Sequence, residues 1–210
     1  MRFRLGMWPS FFPGVQFSSD PAALDQWWRQ QTPETGPVSN DVIARSGAAL
    51  FERIGEATLL SHSAGGLPGW LIAIASPNVR AVVAYEPAGF VFPDSELPAA
   101  IPTSNGDVIA TPVPLADFEK LTHLPIQVLY GDNIPSTPSP YAGLDVWRGR
   151  LALAALFVAA LNQHGGDAEL VHLPDLGITG NTHFPMSDLN NLQIADLLSE
   201  YLHHKGLDRH

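Results

Sequence analysis

The chain has 210 residues, 45% of them hydrophobic, which is enough to bury a sizeable core as one domain. Lys and Arg number 11 against 21 Asp and Glu, and the formal net charge of -10 repels phosphate backbones, so nucleic acid is not an expected partner. The absence of cysteine excludes disulfides, thiolate nucleophiles and Cys-ligated metal.

At the N-terminus Arg2 and Arg4 precede apolar residues, but Pro9 and Pro13 interrupt them and no small-residue cleavage site follows. No secretory signal is expected, and the cytoplasm is the default compartment. Asp20-Pro21 is an N-cap followed by proline at the first helical position, and it opens a helix carrying Trp27 and Trp28. A second helix, Val42 to Ile54, completes a helical lead-in over residues 1–56.

Residues 57–210 read as the core of one α/β domain. Four short runs, Ala57 to Ser61, Val79 to Tyr85, Pro125 to Tyr130 and Ala168 to Leu173, are apolar without strict alternation, as buried parallel strands are. Between and after them lie helical patterns at Leu67 to Ser76, Asp117 to Leu121, Leu144 to Gln163 and Asn190 to His204, the third ending on Gly165-Gly166. Strands alternating with helices predict a mainly parallel sheet covered on both faces. The longest apolar run, Leu151 to Leu161, is about half the length that spans a bilayer, so it reads as a buried helix and no membrane span is expected. The proline-rich stretch from Gly89 to Pro114 lacks periodicity and reads as a long loop over the rim.

Thr58-Leu59-Leu60-Ser61-His62-Ser63-Ala64-Gly65-Gly66 runs from a strand into a helix, with small residues two places either side of Ser63. That is the pattern of a nucleophile elbow, in which a sharp turn strains the serine backbone and leaves no room for larger neighbours. Ser61 stands where the usual motif has glycine. His62 is adjacent in sequence and points away around such a turn, so it takes no catalytic role.

After such an elbow the chain order is Ser, then acid, then His. Among the eight histidines His183 fits best, after the turn residues Gly180-Asn181-Thr182 and before the final helix. An imidazole there can take the serine proton and return it to the leaving group. His203, His204 and His210 fall in the C-terminal helix and tail. Two carboxylates compete to orient His183: Glu86, directly after the second strand, and Asp132, in Tyr130-Gly131-Asp132 after the third. The pattern alone favours Asp132, since the acid more often follows the penultimate strand.

Four segments, Leu60-Ser61-His62-Ser63, Glu86-Pro87, Gly131-Asp132 and Gly180-Asn181-Thr182-His183 with Asp188, Asn190-Asn191-Leu192 and Ala195-Asp196-Leu197, resemble bacterial α/β hydrolase esterases whose acid is a glutamate after strand six. The resemblance implies an α/β hydrolase fold, Ser63 as nucleophile, Glu86 as acid and His183 as base. It implies an acyl-enzyme route to cleavage of a small ester, with no cofactor and no metal. Asp132 then becomes a supporting residue.

No strands are read before Ala57, so the first strands of that fold are expected to be missing. The nucleophile strand would then expose a hydrogen-bonding edge, a route to pairing with a second copy. The Ala64 N–H would supply one oxyanion donor, with the second absent. The alternative function is therefore a catalytically impaired fragment or partner-binding remnant. Trp27, Trp28, Phe90 and Phe92 could line an apolar acyl pocket or simply pack the core.

Overall fold

The computed structural model describes residues 1, 3–33, 36 and 39–208; Arg2 and the tail residue His210 lie outside them. In chain order the elements are β1 (Gly6–Met7), β2 (Ser10–Phe11), α1 (Pro21–Arg29), α2 (Asn40–Ile54), β3 (Ala57–His62), α3 (Gly66–Ala75), β4 (Val79–Tyr85), β5 (Val91–Pro93), β6 (Thr111–Val113), α4 (Leu115–Leu121), β7 (Pro125–Tyr130), α5 (Ala142–Gln163), β8 (Asp167–His172) and α6 (Asn191–His204).

The four apolar runs form one parallel sheet in the order β3-β4-β7-β8. On β4, Val82 and Ala84 face a core built with α2, α3, α4 and α5, while Val83 and Tyr85 face a smaller core under α6. Burial on both faces is why these strands carry continuous apolar runs rather than alternation. Among the described residues β3 pairs only with β4, so it is an edge of this sheet, and Leu60 on it is half exposed.

Local chemistry sets the element ends. The Asp20 carboxylate accepts from the Ala22 and Ala23 N–H groups at 2.8 and 3.0 Å, the cap that its position before Pro21 predicts. At the end of α5, the Asn162 side chain donates to and accepts from the Ala168 backbone, both at 2.9 Å, fixing the return into β8.

Two expectations are corrected. The lead-in is not only helices and irregular chain: β1 and β2 form a short antiparallel pair. The segment from Gly89 to Pro114 is not a plain loop, because β5 and β6 pair in parallel within it. Its middle is pinned by the buried Asp145 of α5, whose carboxylate accepts from the Ser104 and Ser139 N–H groups. Among the described residues no helix is long and apolar enough to cross a membrane.

Candidate active site

Ser63 follows β3 directly, opens a single 3-10 turn (Ser63–Gly65) before α3, and holds φ at +56°. A non-glycine residue in that region carries backbone strain that the surroundings must hold in place. Here the holding is steric and close. A side-chain carbon on Gly66 would sit 2.5 Å from the Pro87 ring, and one on Gly69 would sit 3.2 Å from the Ser61 side chain. Serine at 61 is therefore accommodated by glycine one turn into α3, which explains how this turn tolerates serine where the usual motif has glycine. Gly65 itself meets nothing within 4 Å, so the crowded position is Gly66.

Glu86 directly follows β4, with φ at +53° and no exposed surface. Its N–H donates to the Leu129 carbonyl at 2.8 Å, and its Oε1 accepts from the Gly131 N–H at 2.6 Å. Oε1 also pairs with the Arg4 guanidinium, itself fully buried. Gly131 has no room for a side chain, since a Cβ would lie 2.8 Å from the Asn181 carbonyl and 3.1 Å from Oε1.

His183 lies beyond β8 and the 3-10 turn Leu173–Leu176, and it is almost wholly buried. Its Nε2 is 2.8 Å from Ser63 Oγ and its Nδ1 is 3.4 Å from Glu86 Oε2. With an anionic partner at Nδ1 and a hydroxyl at Nε2, the neutral ring carries its proton on Nδ1 and accepts from Ser63. The ring stacks on Phe3 at 5.6 Å, with Trp147 at 4.4 Å and His62 at 4.7 Å. His62 does not point away from the site as its place in the turn suggests: its ring lies beside that of His183, and its Nε2 donates to the His183 carbonyl at 2.7 Å.

Electrostatics separate the two titrating groups. Burial disfavours the Glu86 anion, but the Arg4 charge and the hydrogen bonds from His183 and Arg4 outweigh it, and the carboxyl is held at about 2. For His183 burial dominates over the opposing pull of Glu86, and the imidazole is lowered to about 4. At neutral pH the arrangement is a carboxylate beside a neutral imidazole, the protonation state a general base needs.

Asp132 is not on His183. Its carboxylate accepts from the Asn133 N–H at 2.6 Å and the Gly180 N–H at 2.7 Å, and its carbonyl accepts from Arg4 Nε at 2.7 Å. It ties the loop after β7 to the loop that carries His183. Asp188, fully buried, does the same from the other side, accepting from the Thr182 N–H and hydroxyl, both at 2.8 Å, and from Asn181 Nδ2 at 3.0 Å. Asp188→Ala removes the acceptor of all three bonds, with only Asn181 Nδ2 keeping a second acceptor, Asn190 Oδ1 at 2.8 Å, and should lower stability by about 3 kcal/mol in denaturant unfolding, with Asp188→Asn costing less.

Ala64 is exposed directly after Ser63. Of the four aromatics named from sequence, Phe90 and Phe92 belong to the main core. Trp27 is buried against Phe3, Phe17 and Phe184, and Trp28 borders a cavity that Phe3 also lines. Sequence reasoning missed Phe3 and Arg4 altogether. Nothing local marks them, because they reach the site from about 80 and 180 residues away by tertiary packing.

No family model matches the chain. The probable secreted lipase phiG of a fungal species (strain ATCC 74256) is 28% identical over 225 residues, which cover 93% of this chain and 61% of that protein. A solved structure described as a novel bacterial esterase superposes with a TM-score of 0.72 at 31% identity, covering 96% of this chain and 55% of that one. The chain thus spans a little over half the length of both. With its parallel sheet and these likenesses, it has the α/β hydrolase fold and is similar, over nearly all its length, to a lipase and an esterase.

Proposed function

We propose that the protein is a serine hydrolase that cleaves carboxylic esters through an acyl-enzyme, with Ser63 as nucleophile, His183 as general base and acid, and Glu86 as the carboxylate that orients and stabilises the imidazole. The observation that carries this reading is the continuous relay from Ser63 Oγ to His183 Nε2 at 2.8 Å and from His183 Nδ1 toward a buried Glu86. A 3.4 Å approach between base and acid is within the range by which such contacts lengthen without substrate.

In the first half-reaction Ser63 Oγ attacks the ester carbonyl carbon while its proton passes to His183 Nε2. The tetrahedral oxyanion is met by the Ala64 N–H. Collapse breaks the bond to the alcohol oxygen, which leaves with the proton from His183. Water then repeats the sequence on the acyl-serine, releasing the acid and restoring Ser63. Asp132 keeps the two loops in register and takes no part in proton transfer.

The apolar part of the ester is assigned to a cavity of about 500 Å3 lined by Phe3, Leu5, Trp8, Phe11 and Trp28. Phe3 borders both this cavity and the His183 ring. A larger cavity, of about 690 Å3, touches the N-terminal ends of β4 and β7 at Val79 and Pro125, the opposite end from Ser63; neither cavity is lined by Ser63, Glu86 or His183, and only the smaller one reaches the site, through Phe3.

A fluorophosphonate should label the wild-type chain at Ser63, and Ser63→Ala should abolish the labelling. Labelling that persists in Ser63→Ala would overturn the nucleophile assignment. A folded wild-type chain that takes no label would favour a non-catalytic remnant instead.

A further inference from the structure

Arg4 is a fully buried cation supplied by the N-terminal segment, and it reaches both carboxylate-bearing loops of the site. Its Nη2 pairs with Glu86 Oε1, its Nε donates to the Asp132 carbonyl, and its guanidinium lies 5.1 Å from the Trp147 ring centroid. Trp147 in turn contacts the other side of the site, 4.4 Å from the His183 ring. The adjacent Phe3 stacks on that ring, and its carbonyl accepts from the His183 N–H at 3.0 Å. Arg4 itself holds φ at +57°, so a strained residue directs the guanidinium inward. A buried charge at such a position is costly unless it is paired, and the pairing here is to the very carboxylate that faces the base.

Resting on the proposed catalytic role of Glu86, we propose that Arg4 is a positioning residue. It clamps Glu86 Oε1 so that Oε2 stays turned to His183 Nδ1, and it keeps the carboxylate ionised beside a neutral imidazole. The division of labour between the two carboxylate oxygens supports this. Oε1 is taken up by Arg4 and the Gly131 N–H, which leaves Oε2 turned to His183.

The groups facing Glu86 define what a loss of Arg4 would do. Arg4 and His183 act on it directly, and the Tyr130 phenol, which donates to the Pro87 carbonyl, feels its charge. Arg150 acts on Tyr130, Asp188 feels Arg4, and His62 acts on His183. The Asp132 carboxylate is engaged by the Gly180 and Asn133 N–H groups. Among the described residues Arg4 is the cation that pairs with Glu86. Its removal lets the carboxyl rise and also lifts a cationic influence from His183, which lets the imidazole rise too. Both changes move activity in the same direction along pH.

The test compares wild type, Arg4→Met, Arg4→Lys, Glu86→Gln and the double variant Arg4→Met/Glu86→Gln, using 4-nitrophenyl butyrate. Arg4→Met should lower kcat roughly 10-fold to 100-fold with KM little changed, and should move the acid limb of kcat/KM up by about one pH unit. Arg4→Lys should restore most of that limb. In the Glu86→Gln background, removing Arg4 should change kcat by less than about threefold, since its effect acts through the carboxylate. An unmoved acid limb, a loss equal at every pH, or multiplicative losses in the double variant would overturn the proposal. If Arg4→Met fails to fold, the lysine and double variants carry the same comparison. An NMR titration of the His183 ring in the Ser63→Ala background separates this inference from the proposed function, because it needs no turnover. In that titration, a His183 Nδ1–H resonance left unmoved when Arg4 is replaced overturns the positioning role even if the chain proves an active esterase. A resonance that moves toward its position in Glu86→Gln sustains it even where the wild-type chain hydrolyses no ester.

Discussion

On the proposed mechanism, replacing His183 by alanine should lower kcat for a small ester by about a million-fold, the loss expected when one member of a Ser-His unit is removed. The reason is geometric before it is electrostatic. Nε2 is the basic atom placed 2.8 Å from Ser63 Oγ, and the nearby His62 spends its Nε2 on the His183 carbonyl. His62→Ala should therefore cost far less, through a looser His183 backbone rather than a lost proton acceptor, and measured kcat values separate the two cases. The pH profile gives a second reading. Burial lowers the imidazole to about 4, so the base is already neutral well below neutrality, and the acid limb of kcat/KM should fall nearer pH 4 than the ordinary 6.5. The same shift has a stability cost in acid. A histidine depressed in the fold is forced to charge, so stability is intact above the unfolded value of 6.5 and is lost progressively as pH falls toward about 4. A shift of that size corresponds to about 3 kcal/mol. A His183→Ala variant should lose this part of the acid sensitivity in denaturation followed between pH 7 and 4.

Much of this was legible in the sequence, and the limits are physical. The strands could be read because both faces of β4 and β7 are buried, which leaves an uninterrupted apolar run that few other elements produce. The strand-to-helix turn at Ser63 could be read because its constraint is local: Ser63, Ser61 and Gly66 lie within a few residues of one another. The choice between Glu86 and Asp132 could not be settled from spacing, because both follow strands that end at the same rim. What distinguishes them is which oxygen faces the ring, a matter of loop packing. Glu86 is turned inward at a positive φ, whereas Asp132 is consumed by the Asn133 and Gly180 N–H groups. β5 and β6 escaped notice because three-residue strands of mixed composition, Val-Phe-Pro and Thr-Pro-Val, carry no periodicity. Arg4 escaped because a charged residue among irregular chain near a terminus reads as surface, and only its tertiary partners make it interior.

Glu86→Gln should reduce kcat by about 10,000-fold, while Asp132→Asn should leave turnover within about an order of magnitude of wild type and show itself mainly as lost stability. The amide keeps the shape of the carboxylate but offers no charge to stabilise the imidazolium that forms when Ser63 attacks, and it favours the wrong tautomer at Nδ1. It also leaves the buried Arg4 charge without its partner, so Glu86→Gln should unfold more readily than wild type at neutral pH. That penalty has a definite pH dependence. The Glu86 carboxyl is held at about 2 against an ordinary 4.5, so its contribution to wild-type stability is complete above 4.5 and is lost as pH falls toward 2. The gap in stability between wild type and Glu86→Gln should therefore close in acid, below the range where His183 has already charged. The kinetic limb responds in the opposite sense to that of Arg4→Met. Glu86 raises the His183 pKa, so its loss lets the imidazole fall further and moves the acid limb to lower pH, even as the plateau drops. A limb that moves down in Glu86→Gln and up in Arg4→Met is the signature of one carboxylate held between a cation and a base. If Asp132→Asn instead produces the 10,000-fold loss and Glu86→Gln does not, the acid is Asp132, and the contacts that Glu86 makes are structural.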